Sequence, residues 1–207
     1  MKGLLIKDFK FIKKHNFGFI IVALLFFCLS VLSSSSMYFA YYSAAMISLM
    51  PVFTMAYDEN YKWNKYEAIL PIKKSTIVLE KYILLAIIAV PAVMIEALLF
   101  RYVKGLSIEH TASLAYLMLF ISFLSPAIVL PLNFRFGYLK GKIINLIVIG
   151  VMAASITAIN IRNNTGETAL EGQFTPQNDA FMFAILGILL LIISLGLSTV
   201  LYKKREF

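Results

Sequence analysis

The chain has 207 residues, 60% of them hydrophobic and only 14% charged, with a mean hydropathy of +0.83. Soluble domains carry nearer a quarter charged residues, so there is too little polar surface to cover a water-soluble globule, and the bilayer is the expected solvent. The net charge of +8 follows membrane topology rather than marking a nucleic-acid binder, and the single Cys28 excludes an intrachain disulfide framework.

Residues 1–15 read MKGLLIKDFKFIKKH. Leu4, Leu5, Phe9 and Ile12 share one helical face, and Lys7, Lys10 and Lys14 lie largely on another. That pattern predicts an interfacial helix, with its apolar side in the acyl boundary and its lysines toward headgroups. A topology signal with incidental periodicity has the same pattern.

A spanning helix needs about 20 mostly apolar residues. Six such runs follow: Phe17–Leu32, Met37–Tyr57, Tyr82–Phe100, Ala112–Leu132, Ile143–Ile161 and Ala180–Tyr202. The first is short, and Ser33–Ser36 makes a polar turn after it. A lysine-rich start before an apolar run also has the form of a signal peptide. Because five more spans follow, the first is expected to remain as an uncleaved anchor.

Between spans two and three lies YDENYKWNKYEAILPIKKSTIVLEK, Tyr57 to Lys81. Asp58 can cap a helix there, and Glu59 suits its positive end. Trp63, Tyr66 and Leu70 follow i, i+3, i+7 and form one stripe, with Ile69 beside it and Asn60, Asn64 and Glu67 behind. Pro71 stops the helix, and Ser75 or Thr76 can cap the next one. Two readings fit. The aromatics are anchors for a partner's groove, where Trp and Tyr are enriched, or they sit at headgroup depth in an interfacial helix. The next inner loop, PLNFRFGYLKGK, has Gly137 and Gly141 for a tight reversal, and 162–179 is a polar outer loop.

Lys and Arg concentrate in cytosolic loops. With the N-terminus inside, sixteen of the nineteen basic residues fall in inner segments, and only Arg101, Lys104 and Arg162 lie outside. Both termini, the Tyr57 insert and the loop after Asn133 are therefore expected in the cytosol, with the chain multi-pass in the plasma membrane.

Within the membrane, Glu96 is the one ionisable residue expected well inside a span, with Arg101 about a turn beyond. Such residues are costly and are candidates for function. A carboxylate paired with Arg101 near the interface is the plainer reading. Pro51, Pro91 and Pro126 fall in spans two, three and four, where proline usually kinks a helix. Gly150 with Ala154, and Ser194 with Ser198, are small-xxx-small pairs that permit close helix approach. Seventeen Phe and eleven Tyr suit an apolar path for amphipathic cargo, and suit lipid contact equally.

Three stretches together, LLIKDFKFIKK (Leu4 to Lys14), YDENYKWNKYEAILPIKKSTIVLEKY (Tyr57 to Tyr82) and PLNFRFGYLKGK, resemble the short six-helix permeases of the type-2 ABC exporter superfamily. They are similar to bacterial exporters of phenol-soluble modulin-type and other antimicrobial peptides. The resemblance implies an all-α membrane protein of one permease domain, 1–207, with a coupling helix near 58–72. It implies that Asp58, Tyr61, Trp63, Asn64, Tyr66 and Leu70 meet a cytosolic ATPase subunit. It also implies that two permease copies, identical or closely related, pair with two such subunits.

The chain itself has no phosphate-cradling G-x-x-x-x-G-K-[ST], so ATP and Mg would be bound by the partner and no cofactor by this chain. His15 and His110 are expected on opposite sides of the membrane and cannot share a metal. No G-x-S-x-G, H-E-x-x-H or Cys pair occurs, which disfavours a membrane enzyme. The alternatives to an exporter permease are a six-helix substrate-binding module of an importer, which needs an outward polar pocket, and a stand-alone channel.

Overall fold

A computed structural model describes residues 2–32, 38–63, 66, 69, 72–139, 142–143, 145–151, 154, 157 and 177–204. The elements are α1 (Lys2–His15), α2 (Phe17–Leu32), α3 (Tyr38–Ser48), α4 (Met50–Asn60), α5 (Lys74–Lys104), α6 (Ile108–Phe136) and α7 (Gln177–Lys203), with no strand among the described residues. Four stretches there are long and apolar enough to cross a membrane: Tyr38–Asn60, Lys74–Lys104, Ile108–Phe136 and Phe181–Lys203. Helices α1 and α2, bent by 71° at Asn16, make a fifth if counted together. Part of the expected span Ile143–Ile161, and the expected loop 162–179 up to the start of α7, lie outside the described residues.

The outward faces are apolar. Leu24, Leu25 and Leu29 on α2, Ile95 and Leu98 on α5, and Ile188, Leu189, Ile192 and Ile193 on α7 are all exposed. Such continuous apolar surface is a liability in water and the requirement in lipid. The protein is thus a helical, multi-pass membrane protein.

Expected span two is one path in two pieces. Helix α3 ends at Ser48, and α4 restarts at Met50 with Pro51 in its first turn. Proline has no N–H to give and fits the first turn of a helix, so the break falls at Leu49. Helix α5 has 31 residues, about 46 Å at 1.5 Å per residue, and so overruns the hydrocarbon. Its N-cap is Lys73, with no side-chain cap bond. Ser75 and Thr76, expected as caps, lie inside the first turn instead. Gly105 closes α5 in the left-handed conformation (φ 63°), which costs glycine little. Ser107 then caps α6 by accepting from the His110 N–H at 3.3 Å.

The two largest apolar cores among the described residues line the interior. One joins Leu49, Val52, Met55, Ile77, Val78, Tyr82, Leu130, Phe134 and Tyr202. The other joins Ala40, Ala44, Val93, Phe100 and Met118 nearer the Gly105 turn. Helices α6 and α7 share the most extensive contact. Gly187 allows it, since a Cβ there would stand 3.3 Å from the Phe120 Cα. The pair Gly150 and Ala154, expected to mark close approach, is exposed, and a Cβ on Gly150 would meet nothing within 4 Å.

Ser194 and Ser198 are buried and bonded. Tyr82 Oη lies 2.6 Å from Ser194 Oγ and 2.8 Å from Ser198 Oγ, and Ser194 Oγ donates to the Ala127 carbonyl at 2.6 Å. That carbonyl is free because its usual helical donor, four residues on, is Pro131, which lies inside α6. Ser194 therefore repairs a proline defect from a neighbouring helix. Ser194→Ala is expected to cost about 0.6–2 kcal/mol, read as earlier thermal aggregation in maltoside micelles, with Ser198→Ala costing less.

Candidate functional site

The chain gathers its basic segments at one end. Lys7 on α1 sits 4.7 Å from the Trp63 ring centroid, Glu59 accepts from the Leu139 N–H at 2.7 Å, and Lys74 Nζ donates to the Lys203 carbonyl at 3.4 Å. Burial and the neighbouring Tyr57 phenol push the Tyr138 hydroxyl above its ordinary range.

Inside this end lies a buried ion cluster built by three elements. Asp8 comes from α1, Thr54 and Asp58 from α4, and Glu80 and Lys81 from α5, all nearly without exposure. Lys81 Nζ reaches Asp8 Oδ2 at 2.5 Å, Asp58 Oδ2 at 3.0 Å and Thr54 Oγ1 at 3.0 Å. Lys7 Nζ closes the ring, 2.6 Å from Asp58 Oδ1 and 3.2 Å from Asp8 Oδ1. Thr54 Oγ1 also lies 3.2 Å from Asp8 Oδ2. Glu80 Oε2 stands 3.7 Å from Lys81 Nζ, and its Oε1 has no partner among the described residues. Burial pushes the Asp8 carboxyl up, but the Lys81 and Lys7 ammoniums pull it further down, so its net position is below the usual carboxylate range. Asp8 is thus held as an anion. Two ammoniums tie three helices together, and none can move without re-pairing a buried charge, a step that costs several kcal/mol per ion.

The local sequence explains the cluster. Leu4, Asp8 and Ile12 recur every four residues and form the buried stripe of α1. Phe9, expected on the apolar face, is exposed, and Lys7 turns inward rather than toward headgroups. Lys81 sits on the buried stripe of α5 with Ile77, Leu84 and Leu85. Asp58 lies in the last turn of α4, which runs on to Asn60. It does not cap a new helix. Two charge-assisted bonds to lysine hold it there, each stronger than the neutral cap bond it would otherwise make.

The chain then turns at Tyr61–Lys62. Lys62 has φ 55°, a left-handed conformation that costs a non-glycine residue about 1–2 kcal/mol. The aromatic insert begins after that turn, so the helix expected over 58–72 starts near Trp63. Trp63 and Tyr66 lie 6.3 Å apart between ring centroids with their planes tilted by 34°, neighbours as i, i+3 spacing predicts. Tyr61, Tyr66 and Ile69 are highly exposed, and the Trp63 indole N–H is buried with no partner among the described residues. Asn64, Leu70 and Pro71 lie outside the described residues.

The membrane-buried candidates part company. Ser43 Oγ on α3 donates to Glu96 Oε1 at 2.9 Å, and Glu96 Oε2 is buried without a partner among the described residues. Arg101 is exposed. It lies five residues on, roughly 140° around the helix at 3.6 residues per turn, and no ion pair joins the two.

Sequence reasoning did not single out Asp8, Thr54, Glu80, Lys81 or Ser43. The available signal was a lone carboxylate at the i+4 position of the Leu4–Ile12 stripe, and a lysine flanked by apolar residues at i−4, i+3 and i+4.

Outward apolar helices with the charged machinery at one end define a multi-pass helical membrane protein with an internal polar lock. The chain belongs to the ABC-2 family transporter proteins, whose family model matches residues 3–203, nearly its whole length. It is an ABC-2 type permease, a membrane transport component of a family that works with an ATPase subunit. No curated protein and no solved structure matches the chain.

Proposed function

We propose that this permease is the membrane half of an ATP-driven exporter, and that the ion cluster passes the ATPase's motion into its spans. The observation that carries the reading is the position of Lys7. It bonds the buried Asp58 at 2.6 Å and lies 4.7 Å from Trp63 of the exposed insert. A push on the insert therefore reaches α1, α4 and α5 through one side chain.

In this reading the chain crosses the membrane six times, with both termini and the insert in the cytosol. Tyr61, Trp63, Tyr66 and Ile69 form the docking face, with Asn64 and Leu70 of the same insert as further candidate contacts, while Asp58 works from within. The ATPase binds ATP and Mg. Two permease copies enclose the path, and Gly150 and Ala154, exposed among the described residues, suit the second copy. The resemblance of its sequence blocks to those of peptide exporters favours amphipathic or antimicrobial peptides as cargo, moved by alternating access. Glu96, tied to Ser43 by one hydrogen bond, is the polar point on that path.

The test is a pull-down of the tagged protein from its own membranes in digitonin. A stoichiometric soluble protein with a phosphate-binding loop is expected. Recovery of this chain alone, in maltoside as well as digitonin, would remove the reading.

A further inference from the structure

Beside the ion cluster lies an open cleft of about 390 Å³, lined by Lys7, Lys10, Phe11, Lys14, His15 and Tyr61. Among the described residues no carboxylate lines it. Asp8 and Asp58, the nearest acids, are turned inward and paired with Lys7 and Lys81. Lys10 and Lys14 are exposed and have no acidic partner among the described residues. The back wall is aromatic. Phe11 stacks on Tyr57 at 6.0 Å and approaches Tyr61 at 6.1 Å, and His15 lies 5.0 Å from Tyr57.

We propose that this cleft binds the headgroup of an anionic phospholipid. Three observations favour a lipid. Lys10 and Lys14, exposed one helical turn apart on α1, can hold a phosphate from one side, while Lys7 beside them stays paired with Asp8 and Asp58. The chain runs from the cleft into lipid-facing helix, since Phe17, two residues beyond His15, and Ile21, Leu24 and Leu25 after it are exposed. The volume also exceeds what one phosphate fills, and the aromatic wall suits the glycerol and upper acyl carbons. Helices that place lysines and aromatics together at the interface hold anionic lipid by both contributions. The inference is independent of the transport reading, because it requires no ATPase and no cargo.

The experiment uses the full chain in maltoside, titrated with short-chain phosphatidylglycerol, phosphatidylcholine or inorganic phosphate. Binding is read by native mass spectrometry and by the fluorescence of Trp63, the chain's one tryptophan, beside Lys7. Saturable binding of phosphatidylglycerol, and of neither other probe, is expected. The exposed pair Lys10→Gln with Lys14→Gln should weaken it about 25-fold, at about 1 kcal/mol per lysine, while Lys10→Arg with Lys14→Arg keeps it. Equal binding of phosphatidylcholine, saturation by inorganic phosphate at the same affinity, or no change in the glutamine variant would each overturn the proposal. Loss of a co-purifying protein from the glutamine variant, with lipid binding intact, would assign the cleft to that protein and overturn it too.

Discussion

Lys81→Met is expected to lower the thermal stability of the solubilised protein more than any other single change at its charged end. The substitution keeps most of the side-chain volume and removes the ammonium that bonds Asp8, Asp58 and Thr54. Lys7 then faces Asp8 and Asp58 alone, and Glu80 loses its nearest cation. Breaking a buried pair from one side costs about 3–5 kcal/mol, which for a chain of this size is a fall of roughly 10 °C or more. Monodispersity after heating in maltoside measures it. The double variant Asp8→Asn with Lys81→Met removes one charge of each sign and should recover part of the loss. A melting point unchanged by Lys81→Met would mean that the cluster does not hold the three helices together.

The second large effect is functional. Trp63→Ala with Tyr66→Ala should leave membrane insertion intact and abolish most transport. Aromatic anchors at the centre of an interface are each worth about 2 kcal/mol or more, so losing one should weaken binding of the ATPase to inverted vesicles roughly 30-fold or more, and losing both should weaken it further. Trp63 also lies beneath Lys7, so the single variant Tyr66→Ala, whose described ring contact is with Trp63 alone, separates docking from disturbance of the cluster. It should weaken ATPase binding with no change in melting temperature. Full transport in the double variant would remove these residues from the coupling role.

The membrane character was legible because it rests on composition and on runs of about 20 apolar residues, which hydropathy reads directly. The first span agrees residue for residue with α2, and spans three, four and six lie inside longer helices, since nothing at a membrane surface forces a helix to stop there. The aromatic stripe was legible for the same kind of reason. Spacing of i, i+3 puts Trp63 and Tyr66 together wherever the segment folds as a helix.

The ion cluster was not legible, because the Lys81 bonds that join its helices span 23 to 73 residues and form only through the packing of α1, α4 and α5. Asp58 shows the difficulty. Locally it is a good helix cap, and only the arrival of Lys7 and Lys81 makes the interior of α4 the better place. Glu96 shows it again. Arg101 is near in sequence but on another face of the helix, while Ser43, on α3, is the bonded partner. The repair at Pro131 was hidden as well, because Ser194 of α7 donates to the carbonyl that the proline leaves open, and no local pattern reveals that.

A photo-crosslinking amino acid at position 66, compared with one at position 102 near the opposite end of α5, tests the central claim most directly. Both positions are highly exposed. In intact membranes, position 66 should capture a soluble ATP-binding protein, with a yield that changes when ATP is added, and position 102 should not. Capture of only lipid or this same chain from position 66, or of the same soluble protein from both positions, would contradict the account.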